Sequence, residues 1–115
     1  MANEMIITIR KREGVAILDM KGEVTSFADE TLNSLVKSAI DDGGTRIAFN
    51  FSDVSYINSS GIAVLIGIVT GFKNKGVAFN VYGLTSHFKK IFRMIGLTQY
   101  VNVLNTEDDA VAAFS

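Results

Sequence analysis

The chain reads FNFSDVSYINSSG over residues 49–61, and the apolar run IAVLIGIVTGF follows directly over residues 62–72. The first run has the composition of a β-strand, whereas the second has the length and spacing of a helix. Ser59 and Ser60 therefore fall at the start of a helix, where unpaired N–H groups and the helix dipole favour negative charge. The pattern allows two roles for these hydroxyl groups, namely capping the helix or accepting a phosphate.

Strand and helix patterns alternate on both sides of this stretch. Residues 5–10 and 15–21 are β-prone runs separated by a short polar turn, which predicts a hairpin. Helices are predicted over residues 26–40, 60–74, 85–95 and 106–114, and further strands over residues 46–51, 77–82 and 100–104. The order β-β-α-β-α-β-α-β-α predicts an α/β fold with a mixed, mostly parallel sheet of about five strands and four helices.

The composition limits the classes of protein to which the chain can belong. A length of 115 residues with 48% hydrophobic content predicts a single domain over residues 1–115. A formal net charge of −1 gives no field that would recruit nucleic acid or an anionic membrane. The absence of cysteine excludes disulfides, thiolate metal sites and cysteine nucleophiles. A polar start and no apolar run of membrane-spanning length predict a cytoplasmic protein without membrane insertion.

The helix predicted over residues 60–74 lacks the charged face of an ordinary solvated helix. One stripe is predicted to face the sheet and consists of Ile62, Leu65, Ile66, Val69 and Phe72. A second, narrow face of small residues is bordered by Val64 and Ile68 and consists of Ser60, Ala63, Gly67, Thr70 and Asn74. This second face is either a surface for a partner or is buried inside the monomer.

No pattern in the chain indicates catalysis, and we expect no catalytic residue, metal site or cofactor. His87 is the only histidine, and Gly-x-Ser-x-Gly and phosphate-binding glycine loops are absent. The acidic pairs fall in turns and helix starts, which explains them without a cation. Lys89, Lys90 and Arg93 form a small basic patch that is either simply solvated or faces an acidic partner.

The order of elements and the run FSDVSYINSSG over residues 51–61 resemble the STAS family, specifically the bacterial anti-sigma factor antagonists. Further matches are Gly22-Glu23-Val24 after the second predicted strand and Gly96-Leu97 after the third predicted helix. The resemblance covers essentially the whole chain.

The resemblance implies a non-catalytic switch in which the unphosphorylated antagonist binds an anti-sigma factor that is also a serine kinase. The kinase phosphorylates the antagonist and weakens the complex, and a metal-dependent serine phosphatase reverses the mark. Carried over to this chain, the acceptor is Ser59, with Ser60 as the alternative. The partner-binding positions are then Thr25, Asn58, Ser59, Ser60, Gly61, Ala63, Val64, Gly67 and Ile68.

Three positions depart from the family pattern, because Asn50, Asn58 and Thr25 stand where it has aspartate. Fewer carboxylates near the serines would ease the placement of a phosphate, but would equally remove groups used in kinase recognition. The second hypothesis is therefore a constitutive STAS subunit of a transporter or signalling scaffold, without a phosphorylation cycle.

Overall fold

The computed structural model describes residues 5–114, apart from the side chain of Lys73. Five strands form one sheet in the order β1-β2-β3-β4-β5. The strands are β1 (Ile6–Arg12), β2 (Val15–Val24), β3 (Arg46–Ile57), β4 (Ala78–Tyr82) and β5 (Val101–Leu104). The helices are α1 (Asp29–Asp41), α2 (Ser59–Lys73), α3 (Ser86–Met94) and α4 (Glu107–Ala112). The predicted order and fold class are confirmed, while the predicted domain range 1–115 extends past the described residues at both ends.

The hairpin between β1 and β2 turns on two residues, fewer than the four-residue gap in the sequence pattern suggested. Glu13 and Gly14 both have positive φ, at 50° and 80°. Positive φ at both central residues belongs to the type I′ turn, whose twist matches that of the flanking strands. β1 pairs antiparallel with β2, with Arg12 opposite Val15.

The remaining strands are parallel and follow one another in sequence across the sheet. Right-handed crossovers between such neighbours place all the connecting helices on one face. The main core accordingly joins the sheet to buried residues of α1, α2 and α3, such as Val36, Leu65 and Phe92. On the opposite face, α4 covers a smaller cluster through Ala110 and Val111. No helix within residues 5–114 has the length and apolar character needed to cross a membrane.

β3 is longer than predicted and runs to Ile57 instead of residue 51. It pairs with β4 only as far as Asn50, but it pairs with β2 up to Val24 and Ile57. Register shifts near Lys21 and Gly22 let the mostly polar residues 52–56 continue the ladder. This two-stranded extension, residues 21–24 with 53–57, is called the β2–β3 arm below, and it leads directly to the start of α2.

Candidate functional site

Asn58, rather than either serine, caps α2. Its side-chain Oδ1 accepts a hydrogen bond from the Gly61 N–H at 2.8 Å, and its backbone is extended. The Asn58 N–H donates in turn to the Val24 carbonyl at 3.2 Å, which ties the helix start to the end of β2. The capping interpretation of Ser59 and Ser60 is therefore wrong, because asparagine is as good a cap as serine and already occupies the position.

Ser59 and Ser60 are exposed and form the first turn of α2. Among the described residues, neither their hydroxyl groups nor their backbone N–H groups have a hydrogen-bond partner. The first turn also contains no acidic residue. Free donors and the positive end of the helix dipole thus meet at two solvent-accessible hydroxyls, an arrangement that suits an anion.

Gly61 holds this helix start against the end of β2. The residue is buried, and a Cβ built on it would lie 2.0 Å from the Val24 carbonyl oxygen and 2.6 Å from the Val24 carbonyl carbon. Only a residue without a side chain permits this approach, because backbone atoms cannot move aside as the end of a side chain can. Gly61 therefore positions the serines, and it is too buried to form a partner surface itself.

Thr25 performs a similar local task on the neighbouring loop. It is only 8% exposed, and its Oγ1 accepts a hydrogen bond from the Phe27 N–H at 3.3 Å. This bond starts a 3₁₀ turn over Ser26–Ala28, so α1 begins at Asp29 and not at the predicted residue 26. The turn presents Phe27, which at 81% exposure is the most exposed large apolar side chain of the described residues. Our sequence reasoning missed Phe27; the signal for it was an aromatic residue among polar residues at a predicted helix start.

A shallow groove runs between α1 and α2 beside the serines. It is lined by Ser26, Asp29, Asn33, Ser60, Ala63, Val64 and Gly67. The small-residue face of α2 is thus open to solvent at Ala63 and Gly67, and Val64 is half-buried beside them. This set of residues is called the α1–α2 groove below.

Ile68 does not border that face. It is 1% exposed and packs in the main core with Leu65 and Val69, whereas Ile66 is only half-buried. The expectation that Ile68 contributes to a partner surface is therefore wrong. Apolar side chains lie on most sides of α2. The most buried side chains are those of Leu65, Ile68 and Val69, so the predicted inward stripe was turned away from the side that packs against the sheet.

Asn50 lies away from the serines, although its sequence position suggested a neighbour of the site. It precedes Ile57 by seven residues, which is roughly 20 Å along a strand. Its Nδ2 donates to Asp19 Oδ1 at 2.7 Å, and its Oδ1 accepts from the Ser52 N–H at 2.9 Å. An asparagine at this position therefore changes the hydrogen bonding of the sheet and not the charge near Ser59.

Asp19 belongs to a polar network on the face of the sheet that α4 covers. Glu107 of α4 accepts from Arg10 at 2.5 Å, from Arg12 at 2.8 Å and from the Tyr82 hydroxyl at 2.9 Å. The hydrogen bond from Arg10 has the largest effect on Glu107, and together with the bonds from Arg12 and Tyr82 it lowers the pKa of Glu107 to about 2. Burial, followed by the bond to Glu107, raises the pKa of Tyr82. The network therefore joins β1, β2, β4 and α4 through ion pairs and hydrogen bonds.

His87 and the predicted basic patch both lie on α3. His87 is exposed and lies beside the Phe88 ring at 5.9 Å. In the predicted basic patch, Lys89 donates to Asn105 at 2.8 Å. Within residues 5–114 no three side chains of the types that ligate metals come together.

Comparison with known proteins agrees with this geometry. The family model for the STAS domain matches residues 7–110. Curated relatives named as anti-sigma factor antagonists include BtrV of Bordetella bronchiseptica, 26% identical over 96% of this chain and 95% of its own length. RsfB of Mycobacterium tuberculosis, named as an anti-sigma-F factor antagonist, is 22% identical over 95% of this chain and 88% of its own length.

Solved structures share the fold. An anti-sigma factor antagonist from Mycobacterium paratuberculosis has a TM-score of 0.81 at 18% identity, with 96% of this chain and 94% of that chain covered. SpoIIAA of Bacillus in its phosphorylated form has a TM-score of 0.72 at 20% identity, covering 96% and 100% of the two chains. A sulfate transporter family protein from Wolinella succinogenes has a TM-score of 0.74 at 16% identity, covering 90% and 87%.

Proposed function

The chain belongs to the STAS domain family, and we propose that it is a cytoplasmic, non-catalytic anti-sigma factor antagonist regulated by phosphorylation at Ser59. In its unphosphorylated form it binds an anti-sigma factor that also acts as a serine kinase. A metal-dependent serine phosphatase restores the binding form. The names of the curated relatives support the antagonist role, and a structural neighbour that has a phosphorylated form supports the switch.

The observation that carries the proposal is the division of roles at the start of α2. Asn58 supplies the cap, so the exposed hydroxyl of Ser59 is not needed to satisfy the helix. A phosphate on Ser59 would lie beside the unpartnered N–H groups of Ser59 and Ser60, and it would add about −1.5 to −2 charges. The domain can therefore carry the phosphate without losing a hydrogen bond on which its fold depends.

The binding face that we propose consists of the α1–α2 groove and Phe27. Small residues at Ala63 and Gly67 let a partner backbone approach α2 closely, and Val64 adds apolar area. An aromatic side chain held on a fixed turn is a typical anchor of a protein interface, because little conformational entropy is lost when it binds. Ser59 directly precedes Ser60, which lines the groove, so a phosphate on Ser59 would oppose docking of an acidic or apolar partner.

Intact mass after incubation with ATP and the native kinase partner tests the assignment of the acceptor. The wild-type chain should gain the mass of one phosphate, the Ser59→Ala variant should gain none, and Ser60→Ala is the matched control that should still gain one. The proposal is wrong if the wild-type chain stays unmodified or if Ser59→Ala gains as much as wild type. A phosphate that is lost in Ser60→Ala and retained in Ser59→Ala would assign Ser60 as the acceptor.

A constitutive subunit is the second candidate, and the shared fold with a sulfate transporter family protein favours it. Partner affinity of Ser59→Glu separates the two candidates. The switch predicts that Ser59→Glu binds the partner at least tenfold more weakly than Ser59→Ala, because only the first places negative charge on the binding face. Equal affinity of the two variants would favour the constitutive subunit.

A further inference from the structure

β1 is an open edge of the sheet. It pairs with β2 on one side, and no strand among residues 5–114 pairs with its other side. It is seven residues long and carries exposed apolar side chains, with Ile6 62% and Ile9 41% exposed. The opposite edge, β5, has only four residues. A long edge strand with exposed isoleucines offers unpaired backbone groups to another strand, whereas a very short edge strand is protected.

The charges of this edge are already neutralised within the chain. Arg10, Lys11 and Arg12 lie at its C-terminal half, where unpaired cations would repel another copy of the strand. Each of the three forms an ion pair within the molecule, and the acidic partners are Asp19, Glu107, Asp42 and Asp108. Cationic side chains on an edge strand usually oppose its pairing with another strand. Here these side chains are bound to acidic residues of β2, α4 and the C-terminal end of α1.

We propose that β1 pairs antiparallel with β1 of a second copy of this chain, forming a continuous ten-stranded sheet across a two-fold axis at Thr8. In this register each Ile7 lies opposite Ile9 of the other copy, and both point to the helix-covered face. Beside Ile9 an open groove extends to Ala39 at the end of α1, and it leaves room for the opposing isoleucine. The pairing is isologous, because the same segment supplies both halves of the interface.

The interface is small, so the association is concentration-dependent. With the axis at Thr8, residues 6–10 of the two strands overlap over roughly 17 Å, and the area they bury falls in the range of weak, transient contacts, below roughly 1,200 Å². Ser59 begins α2 directly after β3, and β2 lies between β3 and the β1 edge. Dimer formation is therefore independent of the phosphorylation that we propose, and the two proposals fail or succeed separately.

Sedimentation equilibrium of the full chain tests the proposal between about 10 μM and about 1 mM. The weight-average mass of wild type should rise from 12.5 kDa towards twice that value. Ile9→Lys should stay at the monomer mass, because an unpaired lysine on an edge strand opposes pairing. Met94→Lys is the matched control, since Met94 is an exposed apolar side chain (73%) at the end of α3 and should leave the rise unchanged. A wild-type chain that remains monomeric throughout, or an Ile9→Lys variant that associates like wild type, overturns the proposal.

Disulfide trapping tests the register directly. The chain contains no cysteine, so a single introduced thiol can cross-link only to its copy. Residues opposite one another in an antiparallel pair have Cα atoms about 4.5–5.5 Å apart, which a disulfide can span. Thr8→Cys should form a covalent dimer under mild oxidation several times faster than Met94→Cys, and circular dichroism should show that both variants are folded. Equal rates for the two variants would rule out pairing at Thr8.

Discussion

Substituting alanine for each of two glycines of α2 should change stability in opposite directions. Gly61 and Gly67 lie in the same helix, six residues apart, and the substitution is chemically identical. A Cβ at Gly61 would lie 2.0 Å from the Val24 carbonyl oxygen, whereas a Cβ at Gly67 would have no heavy atom within 4 Å. Gly61→Ala should therefore destabilise the protein, and Gly67→Ala should stabilise it.

The magnitudes follow from the local contacts. An added methyl group that meets backbone must displace it, and such overpacking costs about 1–3 kcal/mol. Moving α2 away from Val24 also weakens the bond from the Asn58 N–H to the Val24 carbonyl, worth about 1 kcal/mol. Helix propensity returns up to about 1 kcal/mol in either variant. We expect Gly61→Ala to lose about 2–3 kcal/mol of unfolding free energy and Gly67→Ala to gain about 1 kcal/mol.

Urea unfolding followed by circular dichroism measures both changes on one scale, provided that the slope of the free energy against urea is the same for all three proteins. The difference between the two variants should be about 3–4 kcal/mol, which far exceeds the error of extrapolation. A Gly61→Ala variant as stable as wild type would mean that α2 is not held against the end of β2. A Gly67→Ala variant less stable than wild type would mean that the open face of α2 is covered within the monomer.

Asn58→Ala should cost about 1 kcal/mol of unfolding free energy in the same assay, while Asn58→Asp keeps an equivalent cap and should cost little; equal losses would deny the capping role. Phe27→Ala should reduce partner affinity at least tenfold in calorimetry without changing the unfolding midpoint, and Met94→Ala should do neither. Unaltered affinity of the Phe27→Ala protein would remove this residue from the binding face. Glu107→Gln should abolish a pH-dependent part of stability. Arg10 and its neighbours lower the pKa of Glu107 to about 2, so this stabilisation is complete above about pH 5 and is lost as the pH falls towards 2. Wild type and variant should therefore converge in unfolding free energy in acid, and a constant difference from pH 7 to pH 3 would contradict the assignment.

The order of the elements could be predicted from the sequence because β-prone runs alternate with helical patterns, and turn residues separate most of them. Thr85 and Thr106, where the predicted helices begin, cap α3 and α4, and they accept hydrogen bonds from the Phe88 and Asp109 N–H groups at 3.1 Å. The length of β3 could not be predicted, because residues 52–56 are mostly polar and read as a loop. They form a strand because β2 also extends, and its residues 21–24 form backbone hydrogen bonds with residues 53–57. This tertiary contact cannot be predicted from the local sequence.

The candidate site, too, could be predicted from the sequence only in part. Sequence placed Ser59 and Ser60 at the start of a helix, and the structure agrees. It could not decide which residue caps that helix, because Asn58 and both serines are all good caps and boundaries from sequence are uncertain by a residue or more. Nor could it orient α2, since apolar residues occupy nearly every side and periodicity alone does not choose the inward one. The burial of Ile68 and the exposure of Ala63 are set by packing against α1 and the sheet.

Asparagine at position 58 bears on how a phosphate would act. The amide caps α2 as an aspartate would, but it carries no charge. A carboxylate one residue before a phosphoserine, at roughly 6 Å, would repel it by about 1 kcal/mol even with the screening of bulk water. Without that repulsion, and with unpaired N–H groups in the first turn, a phosphate on Ser59 has no electrostatic reason to distort α2. Its effect must then arise at the interface, where its charge would have to be desolvated or would face an acidic group of the partner. The switch that we propose therefore alters the affinity of a fixed surface instead of the conformation of the domain.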